Sequence, residues 1–220
     1  MSHSIEIVGR SSSHFTRVAR IFAHTLGVPY ELVVVSDLLA TDAAEFGGNP
    51  ALTLPTLRID GTLLFGTENI CRRLSKLADR EVNVVWPEDV TTDIGRNAQE
   101  QTWTAISAQD QLILGRSTGR DAADPFMAKR EAGLRGALAW LDANFDDALA
   151  ALPEPRDASL FEITLFCLIE HLQFRRTLPV DPYGKLLRFA EIFSSKDAAR
   201  RTVFQFDARG IPGSTTDPKS

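Results

Sequence analysis

Hydrophobic residues in the first third of the chain alternate between strand-like runs and helical spacing. The run from Ile5 to Val8 is short and β-prone, and a second such run covers Tyr30 to Val35. Between them, apolar residues recur every three or four positions, which is one face of a helix. That face consists of Phe15, Val18, Ala19, Phe22 and Leu26. This order predicts two parallel strands joined by a right-handed helical crossover.

A β-hairpin is predicted next. The runs from Thr56 to Ile59 and from Thr62 to Phe65 flank the pair Asp60-Gly61. An Asp-Gly pair between two apolar runs indicates a tight turn, because both turn positions require a positive φ. Ahead of the hairpin, Leu38 to Phe46 predicts a short helix. After the hairpin, the spacing of apolar residues is helical again.

The composition changes near residue 79 and divides the chain. We predict a first domain at 1–79, a charged linker at 80–90, an all-helical domain at 91–206 and a flexible tail at 207–220. Ser159 and Glu162 match a capping box, in which each side chain bonds the other residue's N–H. The predicted helices after the linker are Thr91 to Arg116, Pro125 to Phe145, Ser159 to Arg176, Tyr183 to Ser194 and Asp197 to Phe204.

Composition and charge narrow the classes of function. The 220 residues carry a net charge of −5 without a long Lys/Arg cluster, so we expect no nucleic-acid partner. No apolar run approaches the ~20 residues of a membrane span, and residues 1–4 do not read as a signal peptide. The two cysteines, Cys71 and Cys167, lack metal-ligand spacing, so we expect no metal and a reducing cytoplasm.

Four patterns, in order along the chain, resemble the glutathione transferase family. They are the strand-to-helix turn at 8–17, the loop at 49–57, the helix start at 65–70, and the Ser159 helix with the closing segment at 183–203. Asn69 stands where the family usually has Ser, and His14 where Pro is common. Leu52 and Thr53 replace a frequent Gly-Lys pair.

The resemblance implies a fold and a set of partners. The fold is an α/β thioredoxin-like N-terminal domain followed by an all-α C-terminal helical domain. Glutathione is the implied co-substrate and a small hydrophobic electrophile the second substrate. The resemblance also implies a cytoplasmic homodimer with a role in detoxification.

The glutathione-binding residues that follow from the resemblance are Leu54, Pro55, Glu68 and Asn69. A cis bond before Pro55 turns the Leu54 backbone outward, where it can pair with an extended peptide. The alternative is an ordinary trans proline at the first position of a strand. Glu68 and Asn69 open a helix whose free N–H groups suit the α-amino-acid end of a γ-glutamyl group. Alternatively, Glu68 only favours the helix dipole.

Ser13 is the predicted catalytic residue, since serine-type members carry their thiolate-stabilising hydroxyl at the start of the first helix. Ser12 and Ser11 compete for this role, and a serine here also serves as an ordinary helix cap. His14 either approaches the ligand or is an exposed, incidental residue beside the turn; we favour the second interpretation. Trp103 and Ile106 are either core residues or the lining of an apolar second-substrate pocket.

Three activities remain open from the sequence. The first is a glutathione transferase that uses the thiolate on a small electrophile. A glutathione-dependent isomerase or dehalogenase has the same first half. The third is a non-catalytic relative that binds ligands or acts in assembly.

Overall fold

The structure, a computed structural model, describes residues 4–207. The predicted tail lies, beyond Asp207, outside the described residues. The strands are β1 (Ile5–Gly9), β2 (Glu31–Val34), β3 (Thr56–Ile59), β4 (Thr62–Phe65), β5 (Val84–Val85) and β6 (Ala158–Ser159). The α-helices are α1 (His14–Thr25), α2 (Thr67–Ser75), α3 (Asp93–Ser117), α4 (Pro125–Ala143), α5 (Phe145–Ala150), α6 (Leu160–Arg175), α7 (Gly184–Ser194) and α8 (Asp197–Arg200). Two short 3-10 helices cover Ala43–Phe46 and Pro87–Asp89.

The first four strands form one sheet in the order β2-β1-β3-β4. β1 and β2 are parallel, as the predicted crossover requires, whereas β3 is antiparallel to both β1 and β4. The hairpin turns at Asp60 (φ 47°) and Gly61 (φ 80°), which confirms the prediction from the Asp-Gly pair. This mixed sheet with its crossover helix confirms the predicted thioredoxin-like α/β region, which we call the sheet region.

Helix α1 connects the sheet region to the rest of the chain. Val18, Ala19 and Phe22 are fully buried, as the spacing of its apolar face predicts. The helix packs against α2 and also against α6 and α8 of the second half. The start of α1 therefore lies close to helices that are more than 100 residues away in sequence.

The second half of the chain is helical, as predicted, and we call α3 to α8 the helical region. α3 packs along α4, and α6 contacts α1, α3 and α7. Four consecutive residues of α6, from Leu165 to Leu168, are fully buried. A helix that is apolar on all sides belongs in a core, which explains the central place of α6.

Several details differ from the sequence expectations. Of the short helix predicted at Leu38 to Phe46, only the 3-10 helix at Ala43–Phe46 forms. The predicted linker contains β5, which pairs in parallel with β6 inside the half expected to be purely helical. The capping box of α6 is only half formed: Ser159 Oγ accepts from the Glu162 N–H (3.4 Å), but the Glu162 carboxylate binds Arg156 Nε (2.8 Å). Arg156 lies upstream and attracts this carboxylate more strongly than a neutral N–H. Across residues 4–207, none of the helices combines the length and the apolarity needed to span a bilayer.

Candidate functional site

The loop between β1 and α1 carries the three serines. Ser13 is the N-cap of α1, and its Oγ accepts a hydrogen bond from the Thr16 N–H (3.3 Å). Its own N–H donates to the Arg10 carbonyl (3.2 Å). A serine hydroxyl has one donor and two acceptor positions, so the cap bond leaves the Ser13 proton free to donate. The capping alternative and the proposed catalytic role are therefore compatible.

Ser11 and Ser12 are held more tightly than Ser13. Both are 2% exposed, whereas Ser13 is half-buried. The Ser11 N–H donates to Asp207 Oδ2 (2.9 Å), and the Ser12 carbonyl lies 3.0 Å from His171 Nε2. Because a carbonyl can only accept, His171 carries its proton on Nε2. Nε2 therefore cannot also accept from Arg175 Nε, which lies 3.4 Å away.

The loop before β3 contains a cis peptide bond between Leu54 and Pro55, as predicted. Asn49 stabilises this loop from within, although the sequence reasoning did not single it out. Its Nδ2 donates to the Thr53 carbonyl (2.9 Å), and its Oδ1 accepts from the Ala51 N–H (3.0 Å). Within residues 4–207, the Leu54 backbone N–H and C=O have no hydrogen-bond partner, so both are available to a ligand.

The start of α2 has open backbone N–H groups, whereas the side chains of Glu68 and Asn69 already form hydrogen bonds within the chain. Gly66 is the N-cap and contributes no side chain, so the first N–H groups of the helix are open. Glu68 Oε1 accepts from Arg72 Nε (2.9 Å) and Nη2 (2.7 Å). Asn69 Nδ2 donates to the Phe65 carbonyl (3.1 Å). The remaining acceptor for a ligand ammonium is the second Glu68 oxygen.

Two adjoining cavities meet at Phe15, Thr53 and Leu54. The serine cavity, about 230 Å³, lies between the serine loop and the helical region. Its polar lining is Arg10, Ser12, Ser13, Asp110, His171 and Arg175, and its apolar lining includes Leu38, Phe46, Leu52, Ile113 and Leu114. The α2 cavity is lined by Gly66, Thr67, Glu68, Asn69 and Trp103 besides the shared residues.

The two predicted pocket residues of α3 have different environments. Trp103 lines the α2 cavity and stacks on Phe15 with ring centroids 6.0 Å apart. Ile106, in contrast, is 0% exposed and lines neither cavity, because it faces the core between the helices. Of the two alternatives for Ile106, this burial therefore supports a core residue, whereas Ile113 and Leu114 on the same helix line the serine cavity.

A buried polar cluster lies behind the serine loop, and it corrects the interpretation of His14. His14 is 1% exposed rather than on the surface, and its ring centroid lies 3.9 Å from that of His171. The side chain points inward because the helical region covers the start of α1. Burial lowers the pKa of His14 well below its usual value, and the neighbouring His171 lowers it further. Burial also lowers the pKa of His171 to about 3.

Asp110 is the functional candidate that the sequence reasoning missed. Burial raises its pKa to about 7, although the positive charge of Arg175 opposes this shift. A signal was present, since Asp110 stands seven residues after Trp103 and hence on the same face of α3. Among residues 4–207, no group of three or more His, Cys, Asp or Glu side chains is arranged to hold a metal ion.

Comparisons with known proteins agree with this architecture. Residues 12–77 match the family described as the glutathione S-transferase N-terminal domain. A sequence comparison with curated proteins gives no match.

Solved structures resemble the chain over almost its whole length. A glutathione S-transferase from Methylobacterium radiotolerans, in complex with glutathione sulfonate, is 19% identical with a TM-score of 0.72, covering 93% of this chain and 97% of that one. One from Methylobacillus flagellatus, with glutathione bound, is 18% identical with a TM-score of 0.71, covering 91% and 99%. A glutathione transferase family member from Pseudomonas fluorescens, also with bound glutathione, is 18% identical with a TM-score of 0.72, covering 90% and 98%. Residues 12–77 therefore match the glutathione S-transferase N-terminal domain, and the chain shares the overall fold of these solved structures.

Proposed function

We propose that the protein is a glutathione transferase that activates the glutathione thiol with Ser13 and directs the thiolate at a small hydrophobic electrophile. The observation that carries this proposal is the geometry of Ser13. It is the half-buried member of the three serines, it lines the serine cavity, and its cap bond leaves its hydroxyl proton free. Glutathione bound in the similar solved structures adds support.

The peptide backbone of glutathione would pair with Leu54, whose N–H and C=O have no partner within residues 4–207. Its α-carboxylate would accept from the open N–H groups at the start of α2. Its ammonium would bind the free oxygen of Glu68. Pro55 is buried beneath this contact, at the junction with β3.

The energy that Ser13 has to supply is modest. Lowering a thiol pKa from ~8.5 to ~6.5 takes ~2.7 kcal/mol of preference for the anion. A hydroxyl that donates to an anion contributes ~1.5–3 kcal/mol, and the N-terminus of α1 adds ~0.3–1 kcal/mol. The two contributions together are sufficient without a general base. The first turn of α1 contains no acidic residue that would oppose the thiolate.

The test compares Ser13→Ala with Ser13→Thr, which keeps a hydroxyl, and with Ser12→Ala as the matched neighbour. We expect Ser13→Ala to lower the rate of conjugation to 1-chloro-2,4-dinitrobenzene about 10- to 100-fold, as the loss of one charged hydrogen bond implies. The pKa of the bound thiol, followed by thiolate absorbance, should rise towards ~8.5. Full activity in Ser13→Ala, with loss in Ser12→Ala, would transfer the role to Ser12.

A non-catalytic binding or assembly protein is the second candidate. It is favoured by the internal hydrogen bonds of Glu68 and Asn69, which occupy groups that a γ-glutamyl ligand needs. Calorimetric titration with glutathione separates the two functions. Binding without conjugation of several electrophiles supports this candidate or a glutathione-dependent isomerase or dehalogenase, whereas no binding at all supports assembly alone.

We also propose that the protein forms a cytoplasmic homodimer and acts in detoxification. Exposed apolar side chains on the sheet region, such as Leu39 (70% exposed) and Val34 (43%), support a covered surface there. Sedimentation analysis at several concentrations tests the dimer. A monomer at all concentrations contradicts it.

A further inference from the structure

Two guanidinium groups from distant parts of the chain line the serine cavity. Arg10 follows β1, and Arg175 ends α6. Within residues 4–207, neither forms an ion pair with a carboxylate, and the buried Arg10 Nε has no hydrogen-bond partner. The Arg175 guanidinium packs against two aromatic rings, with its Cζ atom 5.5 Å from the ring centroid of Phe174 and 4.9 Å from that of Phe206. Both cations are therefore free to accept an anionic partner.

The charge of the cavity is not balanced by its other residues. Asp110 is the one carboxylate among the residues that line it, and its pKa is raised to about 7. His171 is neutral because burial lowers its pKa to about 3. The Arg10 charge lowers the pKa of Arg175, although burial of Arg175 lowers it more, so the two guanidinium groups repel each other. An anion between them would remove this repulsion and would bind in a partly desolvated site.

The rest of the cavity wall is apolar. Leu38, Phe46 and Leu52 line it from the sheet region, and Ile113 and Leu114 line it from α3. A ligand that satisfies both parts has an apolar body and one anionic group. A purely hydrophobic electrophile would leave both guanidinium groups unpaired.

We propose that Arg10 and Arg175 form a subsite for a carboxylate group of the second substrate, so that the electrophile is an organic acid with an apolar body. This inference rests on the proposed transferase function. In the reaction, the glutathione sulfur forms a bond to the electrophilic carbon. The bond from that carbon to the leaving group breaks, and the leaving group departs with the electron pair of that bond. The carboxylate takes no part in this step and serves to orient the electrophile.

The test uses two aryl chlorides of nearly the same shape, 4-chloro-3,5-dinitrobenzoate and the uncharged 4-chloro-3,5-dinitrobenzamide. In both, the sulfur replaces chloride. The variants are Arg175→Met and Arg10→Met, with Arg176→Met as the matched control because Arg176 is exposed and lies outside the cavity. We expect the wild-type protein to prefer the acid in kcat/KM. The ratio of acid to amide should fall at least tenfold in each cavity variant and should not change in Arg176→Met.

Calorimetric binding of both compounds to the protein gives a readout that does not need turnover. Equal affinity for acid and amide in the wild type, or an unchanged preference in both variants, overturns the subsite. A tenfold loss of glutathione affinity in Arg10→Met or Arg175→Met also overturns it, because the arginines would then bind the glycyl carboxylate of glutathione. If the wild-type protein does not bind glutathione, the transferase proposal fails, while the preference for the acid still decides the subsite.

Discussion

His14 Nε2 lies 3.7 Å from Asp110 Oδ1, which brings a histidine of the sheet region against a carboxyl group of the helical region, directly behind the serine loop. The pair is not a salt bridge at neutral pH, because burial lowers the pKa of His14 and raises that of Asp110. The interface between the two regions is therefore sensitive to pH, and Asp110 is the group that titrates near neutrality.

Replacing Asp110 with Asn should change the pH dependence of stability. The folded pKa of Asp110, about 7, is above the unfolded value of ~3.9, so the folded state binds the extra proton and the Asp110 contribution is lost as pH rises from 4 to 7. His14 and His171 act in the opposite direction, because their folded pKa values are lowered. In Asp110→Asn the opposing contribution of Asp110 is absent and those of the two histidines are kept. The free energy of unfolding of this variant should therefore rise more steeply with pH than that of the wild type.

Urea unfolding at several pH values between 4 and 8 measures this difference. The Asp110 side chain is 36% exposed, so water screens part of its effect and the difference in slope will be modest. Identical slopes for both proteins would contradict the raised pKa of Asp110.

Binding of a carboxylate in the serine cavity should depend on the same proton. Below pH ~7 Asp110 is protonated and does not repel an anion, whereas above it the carboxylate does. His14 and His171 stay neutral in this range, because burial lowers the pKa of both. The affinity for 4-chloro-3,5-dinitrobenzoate should therefore fall from pH 6 to pH 8 in the wild type.

Asp110→Asn provides the control for this proton linkage. Its affinity for the acid should stay constant over the same pH range and match the wild-type value at pH 6. Titration calorimetry in two buffers also reports the proton uptake of the wild type. A variant with the wild-type pH profile would assign the proton to another group.

Gly9 should resist substitution because it fits against α1. A Cβ at Gly9 would overlap the Oγ1 and Cγ2 atoms of Thr16, and the Thr16 N–H donates the capping hydrogen bond to Ser13 Oγ. Gly9→Ala should lower the free energy of unfolding by ~1–3 kcal/mol, as overpacking does, and should also slow conjugation by shifting Ser13. Gly133→Ala on α4 is the matched control, because a Cβ at Gly133 would meet no atom within 4 Å. This substitution should raise the free energy of unfolding by ~0.5–1 kcal/mol, because alanine favours a helix more than glycine does.

Asn49 should affect glutathione binding without touching the ligand. Asn49→Ala removes its hydrogen bonds to the Thr53 carbonyl and from the Ala51 N–H, which together position Leu54. We expect at least a tenfold loss of glutathione affinity in calorimetry, with ~1–2 kcal/mol lost in the free energy of unfolding. Asn49→Asp keeps the acceptor for the Ala51 N–H but removes the donor to the Thr53 carbonyl. Its affinity for glutathione should therefore lie between those of the wild type and Asn49→Ala. An unchanged affinity for glutathione in Asn49→Ala would contradict this prediction, because the loop would then hold Leu54 in place without the Asn49 hydrogen bonds.

Much of the fold was predictable because its signals are local. The Asp60-Gly61 turn and the apolar face of α1 depend on neighbours within a few residues, and both are observed as predicted. Ser159 caps α6 as predicted, although the reciprocal half of its capping box does not form. The pairing of β5 with β6 was missed because each strand has only two residues and the two strands are about 70 residues apart. Such short strands leave no periodic pattern to detect.

The sequence by itself determined the order of the first four strands with α1 and α2, the helical nature of the second half, the resemblance to the glutathione transferases and the candidate residues Ser13, Leu54 and Glu68. Those features follow from hydrophobic periodicity, turn chemistry and short motifs, all of which act along the chain. Only the tertiary structure decided that His14 is buried against Asp110 and that Arg10 and Arg175 line one cavity. Burial and the balance of charge are properties of residues brought together across more than 90 positions, and no local pattern contains them.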